Sequence, residues 1–238
     1  MDKTFIGCAG VNFRAGRPLN FKPEAIVIHI AVGSLRSVDA QFNDPKSRVS
    51  AHYCVAKSGQ VHQYVHETDT AFHAGVVVNP TWPLLKPDTN PNFYTIGIEH
   101  EGMPEDMWPD AQIDTSAALV GEIAQRWSIP LDDLHVIRHH QIRASKTCPG
   151  NFITIAKILE RVPAPPAPAP RIVRTITKLN LRAHQPSIDA PIVRVIPSQT
   201  SVSVAEVVTG DKVAGISAWY ADGNGNFLWA GGTDNPRP

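Results

Sequence analysis

The sequence predicts an α/β domain with a central mixed β-sheet flanked by helices, followed by a small all-β domain. Three observations carry this prediction. Before residue 163, short β-branched runs alternate with apolar residues at helical spacing. A proline-rich stretch then interrupts the chain, and only short β-type runs separated by turn signals follow it. A chain of 238 residues is long enough for one large domain or two small ones.

The first half of the α/β region contains a predicted strand, a helix and a hairpin. Ala25–Ala31 is a short, apolar, β-branched run of the kind that forms a buried strand. Ser34 is a candidate N-cap for a helix that runs through Phe42 and stops before an Asp-Pro pair. His52–Val65 is predicted to form a hairpin, with its turn at Ser58-Gly59.

The second half of this region contains two more strands and two helices. Thr95–His100 and Leu134–Arg138 are predicted strands. A helix is predicted from Asp110 onward, and Pro130 follows its end. Its apolar residues recur at helical spacing at Ile113, Ala117, Val120, Ala124 and Trp127. Phe152–Leu159 is predicted to be a further helix.

The proline-rich stretch Pro163–Pro170 separates the two regions. It has five prolines in eight residues, and proline fixes φ and removes backbone donors, so we expect an extended polyproline II spacer. The predicted organisation is therefore residues 1–162, a linker at 163–170, and residues 171–238.

The C-terminal region is predicted to be a small β-barrel, because about 68 residues hold only short strands. The predicted strands are Arg171–Thr177, Ile192–Ile196, Ser201–Val208, Ile216–Tyr220 and Phe227–Ala230. Turns are predicted at Thr209-Gly210 and Asp222–Gly225.

Charge and hydropathy exclude several classes of protein. The 22 basic and 22 acidic residues balance, so no strong field favours a nucleic acid or an anionic membrane. No run approaches the roughly 20 apolar residues of a membrane span. The start of the chain lacks the apolar core of a secretory signal. We therefore expect a protein made in the cytoplasm that either stays there or is released by another route.

Two histidines and a cysteine suggest a metal site. His29 lies within a buried-strand pattern, His139 ends a strand-like run, and Cys148 follows nine residues later. Two imidazoles and one thiolate leave a fourth position open, which is the stoichiometry of a catalytic zinc site. The alternative, in which each histidine is a hydrogen-bonded core residue, stays open on spacing alone. The other two cysteines, Cys8 and Cys54, are interpreted as small buried hydrophobes.

Five ordered motifs between Ala25 and Leu159 resemble the zinc amidases that include phage lysozyme-type amidases, bacterial muramyl-peptide amidases and peptidoglycan recognition proteins. The motifs are Ile26–Ile30, Ser50–Tyr53 leading into Lys57–Gly59, Phe72–Gly75, Ile96–Gly102, and His139–Ile142 ending in Lys146–Gly150. The resemblance implies hydrolysis of the amide bond between N-acetylmuramic acid and L-alanine in peptidoglycan, with Zn²⁺ as the cofactor.

The resemblance also implies the metal ligands. His29 falls at the place of the first ligand and Cys148 at the third, where many relatives carry Asp. The second is His139 or its neighbour His140. In the family an apolar residue lies three positions after this ligand, and Ile142 meets that condition for His139.

Catalytic roles are implied for Glu99 and Lys146. Glu99 aligns with the acidic residue that deprotonates the attacking water in part of the family, and Glu101 is its nearest competitor. Other relatives use a tyrosine where this chain has Ala51, which favours Glu99. Lys146 matches a position that stabilises the tetrahedral oxyanion.

The remaining implied roles concern binding. His73 matches a groove residue that binds substrate in relatives, whereas His52 is expected to support the sheet. The C-terminal region resembles bacterial SH3-like modules through Lys178–Arg182 and its closing aromatic pairs, which implies a wall-binding domain. Together these features suggest a monomeric, endolysin-like enzyme that acts on bacterial peptidoglycan. A bacterial recycling enzyme, a non-catalytic peptidoglycan receptor and a Cys–His wall peptidase are the alternatives.

Overall fold

The computed structural model describes residues 2–164 and 171–237 of the chain. The chain forms two compact units, one within residues 1–164 and the other within 165–238. Most of the predicted spacer, residues 165–170, lies outside the described residues. No helix in the described parts of the chain is both long and apolar enough to cross a membrane.

The first unit is an α/β structure built on a six-stranded mixed sheet. Its strands are β1 (Thr4–Phe5), β2 (Phe13–Arg14), β3 (Ala25–Ile28), β4 (Tyr53–Val55), β5 (Val61–Gln63), β6 (Thr70–Ala71), β7 (Thr95–His100) and β8 (Val136–Arg138). Its helices are α1 (Leu35–Asn43), α2 (Asp110–Trp127) and α3 (Ile155–Leu159). The sheet order is β1-β5-β4-β7-β3-β8, while β2 and β6 form a separate pair. Only the β4–β5 pairing is antiparallel among the ladders of the main sheet.

Strand β3 lies between β7 and β8 and is fully buried, as its continuous apolar sequence predicts. Helix α2 covers the sheet with the apolar face that its sequence periodicity predicts; Ile113, Ala117 and Val120 are buried in the same core as Ile26 and Ile28. Each isoleucine or valine side chain contributes about 1.5–3 kcal/mol when it is fully buried. The central strands are therefore a rigid support for the residues that follow them.

The predicted helix and hairpin near the start of the first unit are confirmed. The Ser34 hydroxyl accepts a hydrogen bond from the Ser37 amide and caps α1. Strands β4 and β5 pair in antiparallel fashion, and Gly59 has a positive φ of 87° in the turn between them. The predicted strand Thr95–His100 coincides with β7.

The second unit is all-β. Its strands are β9 (Arg171–Arg174), β10 (Leu179–Ala183), β11 (Ile192–Ile196), β12 (Ser201–Val204), β13 (Glu206–Val213), β14 (Ile216–Ala221) and β15 (Asn226–Trp229). Five of them form a sheet in the order β11-β10-β15-β14-β13, and β12 pairs with β9. Leu181, Tyr220 and Leu228 are buried in its core.

The predicted turn at Thr209-Gly210 is wrong. Both residues lie inside β13, and the chain reverses at Ala214-Gly215, where φ is 48° and 86°. Gly210 serves close packing instead, because a Cβ there would lie 2.1 Å from the carbonyl oxygen of Pro186.

Two other sequence predictions need correction. The predicted strand Ser201–Val208 is two strands, because the chain changes partner at Ala205: β12 pairs with β9 and β13 with β14. Alternating hydropathy does not show such a change of partner. The predicted helix Phe152–Leu159 begins only at Ile155, because the Thr154 hydroxyl accepts from the Lys157 amide and caps the helix there.

Candidate metal centre and active site

The site lies where three parallel strands of the first unit end. His29 directly follows β3, His139 directly follows β8, and Glu99 is next to last in β7. The His29 amide donates to the carbonyl oxygen of Ile98, so the sheet pairing continues past β3. Side chains at the carboxyl ends of neighbouring parallel strands converge, which is where α/β sheets commonly bind ligands.

His29, His139 and Cys148 form a compact, buried group. One ligand atom from each lies within 4.8 Å of the other two, and the Nδ1 atoms of the histidines are 2.9 Å apart. Burial lowers the pKa of His29 well below its ordinary value, and burial followed by the charge of Lys146 lowers the pKa of His139 to about 4. Both imidazoles are therefore neutral near pH 7 and have a lone pair available for a cation.

This donor set fits a zinc ion. Tetrahedral zinc with Zn–N near 2.0–2.1 Å and Zn–S near 2.3 Å separates its ligand atoms by about 3.3–3.6 Å, which agrees with a group whose members lie within 4.8 Å. Neutral imidazole and thiolate are ligands that zinc prefers. Burial raises the pKa of the Cys148 thiol. A cation bound to the sulfur would oppose this effect, because it would stabilise the thiolate.

Glu99 brings a carboxylate to this group. Its Oε1 lies 4.0 Å from His29 Nδ1, and its Oε2 is buried without a hydrogen-bond partner among the described residues. Burial raises the pKa of Glu99 to about 7, while the positive charge of Lys146 opposes that shift. A carboxyl with such a pKa can both take and give a proton near neutral pH.

A cavity of about 380 Å³ opens onto these residues. His29, His139, Cys148, Glu99, Lys146 and His73 all line it, so the structure brings together every predicted site residue. Lys146 is exposed at this cavity. Its ammonium group makes no hydrogen bond with another described residue. The wall of the cavity also includes the apolar side chains of Val32, Val49 and Phe72.

His73 lies in the cavity wall, but both of its ring nitrogens contact protein atoms. Nδ1 is 3.1 Å from His29 Nε2, and Nε2 is 3.3 Å from the Thr95 hydroxyl oxygen. The predicted substrate-binding role of His73 stays a prediction. The contacts with Thr95 were not foreseen from the sequence.

The two alternatives to His139 and Glu99 as site residues, His140 and Glu101, lie outside this cavity. His140 lines a different cavity, together with Arg138 and Asp133. The Glu101 carboxylate accepts hydrogen bonds from the amides of Leu35 and Lys57, and so links the start of α1 to the segment that follows β4.

His52 supports the sheet, as expected. Its Nδ1 accepts from the Gly97 amide, and its Nε2 lies 3.2 Å from the partly buried guanidinium of Arg17. The motifs of the sequence gave Gly97 no role of its own, although a glycine inside a buried strand signals that another group approaches the backbone closely.

Comparison with known proteins agrees with this geometry. The family model described as N-acetylmuramoyl-L-alanine amidase matches residues 19–151. The chain is 37% identical over 105 residues to N-acetylmuramoyl-L-alanine amidase A of Achromobacter lyticus, across 43% of this chain and 51% of that protein. It is 31% identical over 116 residues to the 1,6-anhydro-N-acetylmuramyl-L-alanine amidase AmpD of Haemophilus influenzae, across 48% of this chain and 59% of that protein.

The chain also resembles a solved structure. A selenomethionine derivative of AmpD superposes with a TM-score of 0.56 at 25% identity, covering 68% of this chain and 94% of that one. The chain spans between half and three fifths of the two curated relatives. The family match covers more than half of the chain and contains His29, His139 and Cys148. This chain therefore belongs to the N-acetylmuramoyl-L-alanine amidase family.

Proposed function

We propose that the protein is a zinc-dependent peptidoglycan hydrolase that cuts the amide bond between N-acetylmuramic acid and L-alanine. The observation that carries this proposal is the convergence of His29, His139 and Cys148 with the Glu99 carboxylate in one cavity. The two curated relatives are named as muramyl-L-alanine amidases, which agrees with this substrate class.

The residues divide the chemistry between them. His29, His139 and Cys148 would hold the zinc ion, which would act as a Lewis acid toward the substrate carbonyl and would make the attacking water more acidic. Glu99 takes the proton from the attacking water and later gives it to the leaving amine of L-alanine. The Lys146 ammonium, at the same cavity, stabilises the negative charge that develops on the carbonyl oxygen.

The raised pKa values of the cysteine thiols argue against a thiol peptidase. A cysteine nucleophile needs a lowered pKa. Burial instead raises the pKa of all three thiols, that of Cys8 to about 11, that of Cys54 well above its ordinary value, and that of Cys148. A non-catalytic receptor would have no need of a complete ligand set beside a buried carboxylate.

The test is digestion of intact peptidoglycan, followed by mass spectrometry of the released fragments. We expect free stem peptides that begin at L-alanine, lost with a chelator and restored by added zinc. Wall binding without released peptides would support a receptor. Cleavage between amino acids that survives the chelator would support a thiol peptidase and overturn the proposal.

We also propose that the second unit is an SH3-like module that binds the wall. Its support is an all-β structure in which Phe227 and Trp229 of β15 are only partly buried. A bound module raises the local concentration of substrate for the first unit. Deleting residues 165–238 should lower activity on intact walls and leave activity on soluble muropeptides unchanged; an equal loss on both substrates would contradict this role.

Three further expectations stay predictions: that the protein is a monomer, that it is an endolysin, and that it acts on the wall after release from the cytoplasm. Sedimentation of the purified chain tests the first. The other two are tested by measuring cell lysis under three conditions. The protein is added to cells from outside, expressed inside cells alone, or expressed together with a membrane-permeabilising protein.

A further inference from the structure

A chain of hydrogen bonds runs from the backbone to the first metal ligand. The Thr95 hydroxyl donates to the carbonyl oxygen of Pro91 at 2.8 Å. The same hydroxyl oxygen lies 3.3 Å from His73 Nε2, and His73 Nδ1 lies 3.1 Å from His29 Nε2. His29 Nδ1, at the other side of that ring, faces His139 Nδ1 at 2.9 Å.

The Pro91 carbonyl at one end of this series of hydrogen bonds fixes which atom donates at each step. A carbonyl oxygen only accepts, so the single hydroxyl proton of Thr95 points to Pro91. The Thr95 oxygen can then only accept from His73, which places the His73 proton on Nε2. In a neutral imidazole one ring nitrogen donates and the other accepts, so with its proton on Nε2 the His73 ring carries its lone pair on Nδ1.

The proton on His73 in turn fixes the proton on His29. Since His73 Nδ1 has a lone pair, it accepts a hydrogen bond, and the donor is His29 Nε2–H. The lone pair of His29 then lies on Nδ1, the atom that faces His139 and lies 4.0 Å from the Glu99 carboxylate. The metal ligand is thus in its binding tautomer before any ion arrives.

Two features hold the His73 ring in place. The amides of His73 and Ala74 both donate to the side-chain oxygen of Asn92, at 3.2 and 2.7 Å. The ring also lies against the backbone of Gly97, where an added Cβ would come within 2.5 Å of His73 Cγ and 2.6 Å of its Nδ1. Only glycine leaves room for the ring at this point of β7.

We propose that His73 is a positioning residue that fixes His29 in the Nε2–H tautomer and aims its Nδ1 at the metal, with Thr95 and Gly97 holding His73 itself. This inference rests on the proposed metal site. Partners of this kind typically change metal affinity about 10–100-fold when they are removed.

A role for His73 in binding substrate fits these contacts less well. Both ring nitrogens already have protein partners, so the ring has no free donor or acceptor for a sugar or peptide. Its remaining contribution to the cavity is the apolar ring surface.

A matched pair of variants tests the proposal through zinc affinity, measured by competition with a chromogenic chelator. Asn and Leu have similar shape, and only Asn offers an acceptor near the position of the imidazole Nδ1. We expect His73→Leu to bind zinc about 10–100-fold more weakly and His73→Asn to stay within a few-fold of wild type. Equal affinities for wild type and both variants would overturn the proposal.

The tautomer is measured directly on the zinc-free wild-type protein by ¹⁵N NMR of the histidine rings. We expect His29 to show a protonated Nε2 and a pyridine-type Nδ1. A protonated Nδ1 on His29 overturns the proposal, whatever the variants do. Gly97→Ala is expected to displace the His73 ring, and both Gly97→Ala and His73→Leu are expected to give a mixture of His29 tautomers.

The outcomes separate this inference from the proposed function. If wild-type protein binds no zinc, the proposed function fails, while the tautomer in zinc-free protein still decides the role of His73. If wild-type protein binds zinc and cuts peptidoglycan but His73→Leu keeps full zinc affinity, the function stands and the positioning role is wrong.

Discussion

The Nδ1 atoms of His29 and His139 lie 2.9 Å apart, although 110 positions separate the two residues in the chain. The sheet register explains this contact. Strands β3 and β8 are parallel neighbours in which Ile28 pairs with Arg138, so the next residue of each strand emerges at the same edge. Both pKa values are lowered, so two lone-pair nitrogens can meet there around a cation.

The choice of His139 over His140 is testable by zinc binding. His139 is 6% exposed beside His29, whereas His140 lines a separate cavity. We expect His139→Ala to lose stoichiometric zinc, because only two protein ligands remain. His140→Ala is the matched control and should bind one zinc per chain, as measured by metal analysis after dialysis. Zinc loss in the control alone would reverse the assignment.

Glu99 and Glu101 form a second matched pair. Glu99 faces the ligand group, whereas the Glu101 carboxylate accepts from two backbone amides outside it. We expect Glu99→Gln to lower kcat about 10²–10⁴-fold with zinc still bound, since it removes the general base. Glu101→Gln should lower the thermal midpoint and leave kcat close to wild type. Wild-type turnover by zinc-loaded Glu99→Gln would show that another group is the base.

The charge of Lys146 should matter for the rate more than for substrate binding. Removing one group that stabilises an oxyanion costs about 10²–10³-fold in kcat, and we expect a loss of this size for Lys146→Met. Lys57 is the control, because its ammonium pairs with Asp106 at 2.7 Å and does not line the cavity. Steady-state kinetics on a soluble muropeptide separate the two effects: a raised KM with unchanged kcat would make Lys146 a binding residue.

The sequence was sufficient for the elements of the site but not for its internal contacts. The apolar run before His29 and the motif around Glu99 predicted strands, and both strands formed at the predicted places. The hydrogen bonds that join His73 to His29 and to Thr95 depend on which strands are neighbours, and hydropathy patterns carry no such information. The error at Thr209-Gly210 has the same origin, because glycine is required by packing as well as by turns.

The buried carboxylate of Glu67 should govern acid stability of the first unit. Burial alone would raise its pKa, but hydrogen bonds from Arg126, Tyr53 and Trp127 outweigh burial and lower the pKa below its ordinary value near 4.5. The folded state therefore binds this proton less readily than the unfolded state. The stabilisation is complete above about pH 4.5 and is lost as the pH falls from there through the lower pKa of the folded state.

Glu67→Gln tests this assignment, because it keeps the shape of the side chain and removes its charge. We expect a loss of about 1–3 kcal/mol in the free energy of unfolding at pH 7 and a weaker dependence of that free energy on pH below about 4.5. Urea unfolding at several pH values measures both. Glu160, which is exposed after α3, provides the control substitution Glu160→Gln. Parallel pH curves for wild type and Glu67→Gln would mean that other carboxylates cause acid unfolding, because a group with a lowered pKa must leave its own slope.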